Sequence, residues 1–187
     1  MDAPGTASHV EFDYDPQNPC PSHGAESVLM TIAEAGTLAQ PAPDYRPDVV
    51  SFIGEPLAEA LAICGKIKVH LHIATSVDDT AFAVKLMEVF PDGTAYNIRS
   101  GITTILADQP AYAPGTATDV CVELWDMAWT VQPGSRLRLD VTSSDFPQYV
   151  AHPNYAGIWS DAAQTRVAHQ TVFVGCEGSF IELPLSR

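Results

Sequence analysis

The feature that most constrains this chain is a side-chain period of two. In "KIKVHLHIAT", Ile67, Val69, Leu71 and Ile73 fall on one side, while Lys68, His70 and His72 fall on the other. Such alternation is the mark of an antiparallel strand with one face in a core. "SRLRLDV" repeats it, with Leu137, Leu139 and Val141 inward and Arg136, Arg138 and Asp140 outward. Turn chemistry punctuates these runs. "PDG" at Pro91–Gly93 and "QPG" at Gln132–Gly134 place a residue with fixed φ beside one that tolerates positive φ. "TAFAVKLMEVF" and "TAYNIRSGITTIL" flank the first turn as strand and return strand. "TDVCVELWDMAWTV" is expected as one long strand, and "TRVAHQTVFVG" with "SFIELPL" as a closing hairpin. One segment argues otherwise: "EPLAEALAICG" carries helix formers between a Pro and a Gly, and by itself reads as a short helix.

Many short strands, turns rich in Gly and Pro, and little helix predict an all-β protein, an antiparallel β-sandwich. At 187 residues the chain suits one domain with a continuous core. Residues 1–45, with Pro4, Pro16, Pro19, Pro21, Pro41 and Pro43, read as an irregular arm, and residues 46–187 as the sandwich strands. The 23 acidic against 9 basic residues give a net charge of −14. That surface repels phosphate backbones and anionic lipid heads, so neither nucleic acid nor membrane is expected as a partner. The first residues show no basic and apolar leader, so a cytoplasmic location is expected. Cys20, Cys64, Cys121 and Cys176 form no CxxC pair, which argues against a zinc ribbon and favours buried free thiols.

Signatures such as G-x-S-x-G, G-x-G-x-x-G and H-E-x-x-H are absent from the sequence. Three weaker constellations remain. His70 and His72 share a strand face and could hold zinc if His169 joined them, but alternating polar residues on a solvent-facing strand produce such pairs freely. Trp125, Trp129 and Trp159 could form a sugar-stacking platform, although packing is the commoner fate of tryptophan. Ser143, Ser144, Asp145 and His152 hold the residue types of a hydrolase triad. The preferred reading is a strand end and loop, with Pro147, Pro153, Asn154 and Gly157 setting its path. No catalytic, cofactor-binding or metal-ligating residue is therefore assigned.

The same stretch, "GSRLRLDVTSSDFPQYVAHPN", resembles the hallmark of the carboxy-terminal non-catalytic domain of X-Pro dipeptidyl-peptidases and cocaine-esterase-like hydrolases. Gly134 and Arg136–Leu139 fit the family's "G-H-R-L-R-L" strand. Ser143–Pro147 fit its "S-S-D-F-P-R", and Pro153 and Asn154 its "N-P-N". "YDPQNPCPSHGA", "RPDVVSFIGEPL", "VDDTAFAVKLMEVFPDG" and "QTVFVGCEGSFIELPL" are similar to further family segments in the same order. Departures fall at Ala81, where the family has Asp, at Thr104, where it has Arg, and at Gly175–Gly178, where "H-P-S" is common.

The resemblance implies a jelly-roll sandwich shaped like galactose-binding modules, with "PLAEALAIC" extended rather than helical. It implies a position beside an α/β-hydrolase domain that carries the catalytic Ser, Asp and His. The chain then reads as a detached or truncated carboxy-terminal domain. It would have no activity of its own, its partner would lie in cis or in trans, and homo-oligomers are an option. A sheet edge is expected to be exposed or covered by another chain. The rival readings are a carbohydrate or small-ligand binding module and the separately encoded subunit of a split hydrolase.

Overall fold

The computed structural model describes residues 7–24, 26, 35–158, 164–176 and 178–186. Among these residues eleven strands and one helical turn follow in the order β1 (Ser8–Tyr14), β2 (Val50–Ile53), β3 (Leu61–Gly65), β4 (Lys68–Thr75), β5 (Ala81–Val89), β6 (Ala95–Thr104), α1 (Ile105–Asp108), β7 (Thr118–Glu123), β8 (Met127–Val131), β9 (Arg136–Thr142), β10 (Ala168–Val174) and β11 (Phe180–Glu182). Among these residues no helix is long and apolar enough to cross a membrane.

The strands form a β-sandwich. One sheet has the order β2-β9-β5-β6. The other is built on β4, which pairs with β7 along one edge and with β10 and then β11 along the other, while β1 pairs with β10. Between β4 and β10 the chain crosses repeatedly from sheet to sheet, as in a jelly roll. The period of two explains why the sheets meet. Val69, Leu71 and Ile73 of β4, all almost fully buried, pack with Val84 and Leu86 of β5 and Val141 of β9 in one core. A third, two-stranded ribbon, β3-β8, adds Ile63, Met127 and Val131 to this core.

Several expectations from sequence are corrected by the packing. The arm is not wholly irregular: in β1, Phe12 and Tyr14 alternate inward and pair the strand with β10. "TDVCVELWDMAWTV" is two strands in different sheets, because Leu124 turns into the core and its N–H donates to Ile67 O (2.9 Å). β10 and β11 are not a hairpin; they lie end to end along β4, against residues 72–75 and 68–70. "EPLAEALAIC" is extended, ending in β3, so burial of Ile63 against the core overrides its helix propensity. The Pro91–Gly93 turn stands as expected, with Gly93 at φ 88° and its N–H donated to Phe90 O (2.9 Å).

β5 reads poorly as an amphipathic strand because it is covered on both faces. Phe82, Val84 and Leu86 face the sandwich core, while Ala83, Lys85 and Met87 lie under the Pro-rich arm together with Cys20, Gln40 and Tyr45. The arm is held by Arg138, predicted to face solvent yet only 1 % exposed. Its guanidinium makes two 2.7 Å bonds to Asp140 and donates to Pro41 O (2.7 Å) and Ala42 O (3.2 Å). A cation this deep is tolerable because its bidentate partner and two carbonyls replace water.

Candidate functional site

The segment that follows β9 carries the triad-like residues, and the fold gives each of them a structural partner. Ser143 Oγ accepts from Gln170 Nε2 (2.9 Å), and the same amide donates to Thr80 Oγ1 (3.0 Å). Ser144 Oγ accepts the N–H of Cys20 (2.8 Å). Tyr14 Oη donates to His152 O (3.1 Å). Both serines and His152 are buried. His152 Nδ1 accepts from the Asn154 N–H (3.0 Å), which leaves the ring proton of the neutral imidazole on Nε2, 3.3 Å from Asp79 Oδ2. Asp79 Oδ1 accepts from the N–H groups of Thr80 (3.0 Å) and Leu106 (3.1 Å). The result is a buried polar network that laces the 143–154 loop to β1, β10 and the turn before β5.

Asp145 anchors the other end of this loop. Its carboxylate lies 3.6 Å from Lys85 Nζ, both side chains being largely buried. Burial pushes the Asp145 carboxyl above its usual range, and Lys85 opposes that rise. The backbone on either side zips to the arm: Phe146 N–H donates to Cys20 O (2.9 Å), and Ser22 Oγ donates to Asp145 O (2.8 Å). The Phe146–Pro147 peptide is cis. Asn154 takes φ 68°, a conformation asparagine tolerates, and its amide bonds Thr80 Oγ1 (2.7 Å) and Arg166 O (2.6 Å). In chemical terms these groups are already hydrogen-bonded and closed to solvent, so they are poorly placed to receive a substrate.

The histidines are not brought together on one ion. His70 sits 3.3 Å from Glu182, His72 Nδ1 2.8 Å from Asp119, and His169 Nδ1 2.8 Å from Asp13. Phe173 is the residue opposite His72, and His169 lies four residues away along β10, roughly 13 Å at strand rise. Among the described residues, no group of three or more His, Cys, Asp or Glu is placed to hold a metal ion. The outer face instead carries imidazole–carboxylate pairs with phenylalanine packing, His70 stacking on Phe180 at 4.5 Å. Asp13 holds the His169 imidazole above its ordinary pKa, with Glu11 assisting.

Trp125 and Trp129 have different surroundings. Trp125 is 72 % exposed in the turn between β7 and β8. Trp129 is half-buried against the core, and its Nε1–H donates to the buried carboxylate of Glu88 (2.8 Å). Trp159 lies outside the described residues. All four cysteines are free, but only Cys20 is buried, so the expectation of buried thiols fails for Cys64 and Cys176, which are exposed, and for the partly exposed Cys121.

Sequence reasoning missed Asp79, Thr80 and Gln170 as members of the polar network. Gln170 was detectable, because it interrupts the inward alternation Ala168–Gln170–Val172 with a group that must find partners.

Comparison with known proteins agrees with this geometry. Residues 9–178 match the family model described as the X-Pro dipeptidyl-peptidase C-terminal non-catalytic domain. Cocaine esterase from Rhodococcus sp. (strain MB1 Bresler) is 30 % identical over 159 residues, covering 82 % of this chain and 28 % of that protein. The chain thus spans well under a third of its curated relative. Among solved structures, an α-amino acid ester hydrolase superposes with TM-score 0.76 at 25 % identity, covering 95 % of this chain and 32 % of the other. An aminopeptidase from a marine sediment archaeon (Thaumarchaeota archaeon) superposes with TM-score 0.81 at 23 % identity, over 100 % of this chain and 34 % of the other, and supports the fold. With its strand order, its "SSDFP" loop and a match running almost end to end, the chain belongs to the X-Pro dipeptidyl-peptidase C-terminal non-catalytic domain family.

Proposed function

We propose that the chain is the accessory sandwich of a serine hydrolase that cleaves after X-Pro or hydrolyses small esters or amides. In this reading it buttresses an α/β-hydrolase body, helps shape the substrate entrance, and works in the cytoplasm. Alone it has no hydrolytic activity. The observation that carries the reading is the match of residues 9–178 to a domain described as non-catalytic. Burial of Ser143, Ser144 and His152 in a structural network is consistent with it.

The test is hydrolysis of an X-Pro-nitroanilide and a short aryl ester by the pure 187-residue chain. Release no faster than in buffer is expected. Turnover that survives repurification and disappears in Ser144→Ala or His152→Ala would overturn the reading. The buttressing role has its own test in the hydrolase that contains or recruits the sandwich. Removing the sandwich should lower the melting temperature of the body and its turnover; an unchanged body refutes that role.

A further inference from the structure

The sandwich sheets end on β2, β6, β7, β11 and β1, and a strand at the end of a sheet offers unpaired N–H and C=O groups to any extended chain. Four of these ends are blunted. In β2, four residues long, the Ser51 N–H is donated to Asp44 Oδ1 (2.8 Å). In β6 the Ser100 N–H is donated to Glu26 Oε1 (3.1 Å), and Ala95 O accepts from the Gln40 N–H (2.8 Å). In β7 the Cys121 N–H is donated to Asp108 Oδ2 (2.7 Å), and Asp119 O accepts from Gln109 Nε2 (2.8 Å). β11 is only three residues long. β1 is different. It runs for seven residues without Pro, Lys or a shift in register, and among the described residues its backbone pairs with β10 alone. Ser8, His9 and Glu11 are exposed and Val10 is half-buried.

The side chains on this edge select its occupant. His9 and Glu11 share the outer face, with Val10 between them packed toward the core. The contacts of Glu11 within the chain are long, 3.6 Å to His9 Nε2 and 3.7 Å to His169 Nε2, so its oxygens keep capacity for a shorter bond. A second copy laid antiparallel along β1, about a two-fold axis at Val10, sets His9 opposite the partner's Glu11 and Val10 opposite Val10. An imidazole donates to a carboxylate in either protonation state, and the symmetry makes the contact twice. Moved to His9 or to Glu11, the axis sets like against like, so one register is favoured. The net charge of −14 opposes association at long range, but salt near 0.15 M screens it beyond about 8 Å while the paired groups stay in contact. We propose that β1 is a docking edge for a second copy of this chain, joined by antiparallel β1–β1 pairing centred on Val10 with reciprocal His9–Glu11 contacts. One sheet then runs through both copies. This inference goes beyond the hydrolase reading and does not depend on it.

Sedimentation of the 187-residue chain from about 1 to about 500 µM, with amide exchange at the two extremes, tests it. A reversible monomer–dimer equilibrium is expected, and exchange in residues 8–14 should slow at the higher concentration while that in β2 and β6 does not change. His9→Glu and Glu11→Lys each abolish the complementarity, and each should weaken the dimer about tenfold with unchanged circular dichroism. An equimolar mixture of the two variants restores opposite charges at both contacts and should associate at least as tightly as the original chain. A chain that stays monomeric throughout, a dimer indifferent to both substitutions, or variants that fail to associate when mixed overturns the proposal. So does protection of residues 8–14 that appears only on adding a separately prepared hydrolase body, which gives the edge to that body.

Discussion

Ser144→Ala separates a structural hydroxyl from a catalytic one. Ser144 is 2 % exposed, and its Oγ is the acceptor for the N–H of Cys20, itself 5 % exposed. Truncation to alanine removes no backbone and little volume, but it strands that buried donor. An orphaned buried donor costs about 1–3 kcal/mol, and a domain of this size loses roughly 2–4 °C in melting temperature per kcal/mol. The expected effect is thus a loss of about 2 kcal/mol, read as a lower urea midpoint at unchanged slope. Because the bond holds the arm against the loop after β9, its loss should also open the arm locally. Cys20, whose thiol burial pushes above its ordinary pKa, should then react faster with a disulfide reagent, as followed by peptide mapping, while exposed Cys64 and Cys176 keep their rates. If both the urea midpoint and the reactivity of Cys20 are unchanged, the structural account of Ser144 is wrong.

Further outcomes follow from other contacts. Lys85→Met leaves the Asp145 carboxylate buried without its cation, and should cost about 3 kcal/mol at neutral pH. Its sign with pH is testable: the Asp145 pKa is already raised by burial, so stability tied to this group is greatest below its unfolded value and falls as pH rises through the folded one. The variant should therefore recover stability in acid, and one equally destabilised at pH 4 and pH 7 would contradict this. Gly178→Ala would put a Cβ 2.4 Å from Val174 Cα and 2.6 Å from Phe173 O, both backbone atoms, so a loss of about 3 kcal/mol or failure to fold is expected in thermal melts. His169, raised above its ordinary value by Asp13, favours the pairing of β1 with β10 below pH about 6.5, and that contribution fades as pH rises through the folded pKa. Amide exchange in β1 should accelerate over that range, and Asp13→Asn should lower the imidazole titration measured by NMR.

The strands were legible in the sequence where polar and apolar residues alternate. β4 and β9 show inward Val69, Leu71 and Ile73 and inward Leu137, Leu139 and Val141, because a period of two is imposed by the pleat itself; that the outward face of β9, with Arg138 and Asp140, is also buried was not legible. The turn at Pro91–Gly93 was legible because its φ requirements are local. β5 was read as a strand but not as one buried on both faces, because the arm covers its outer face, and "TDVCVELWDMAWTV" was misread because alternation that continues on both sides of Trp125 and Asp126 cannot reveal that a chain leaves one sheet for another. Thr104 accepts from Ala107 N–H (3.3 Å) as the cap of α1, a role only the local turn could assign.

What the sequence determined by itself is the class of fold, its inward faces and, through the order of its motifs, its family. These depend on patterns that repeat over neighbouring residues or along the whole chain. The fate of the chemistry was decided by tertiary structure alone. Ser144 and Cys20 meet across 124 residues, Gln170 and Thr80 across 90, and Lys85 and Asp145 belong to different elements of the fold. Whether a serine becomes a nucleophile or a tie depends on which groups desolvate it and which hydrogen bond it accepts. Those partners are distant in sequence and invisible until the sheets close. The apolar space between Phe52 and Leu139 of one sheet and Leu71 and Ile181 of the other likewise exists only because two sheets, each correctly patterned, fail to cover one another at one edge.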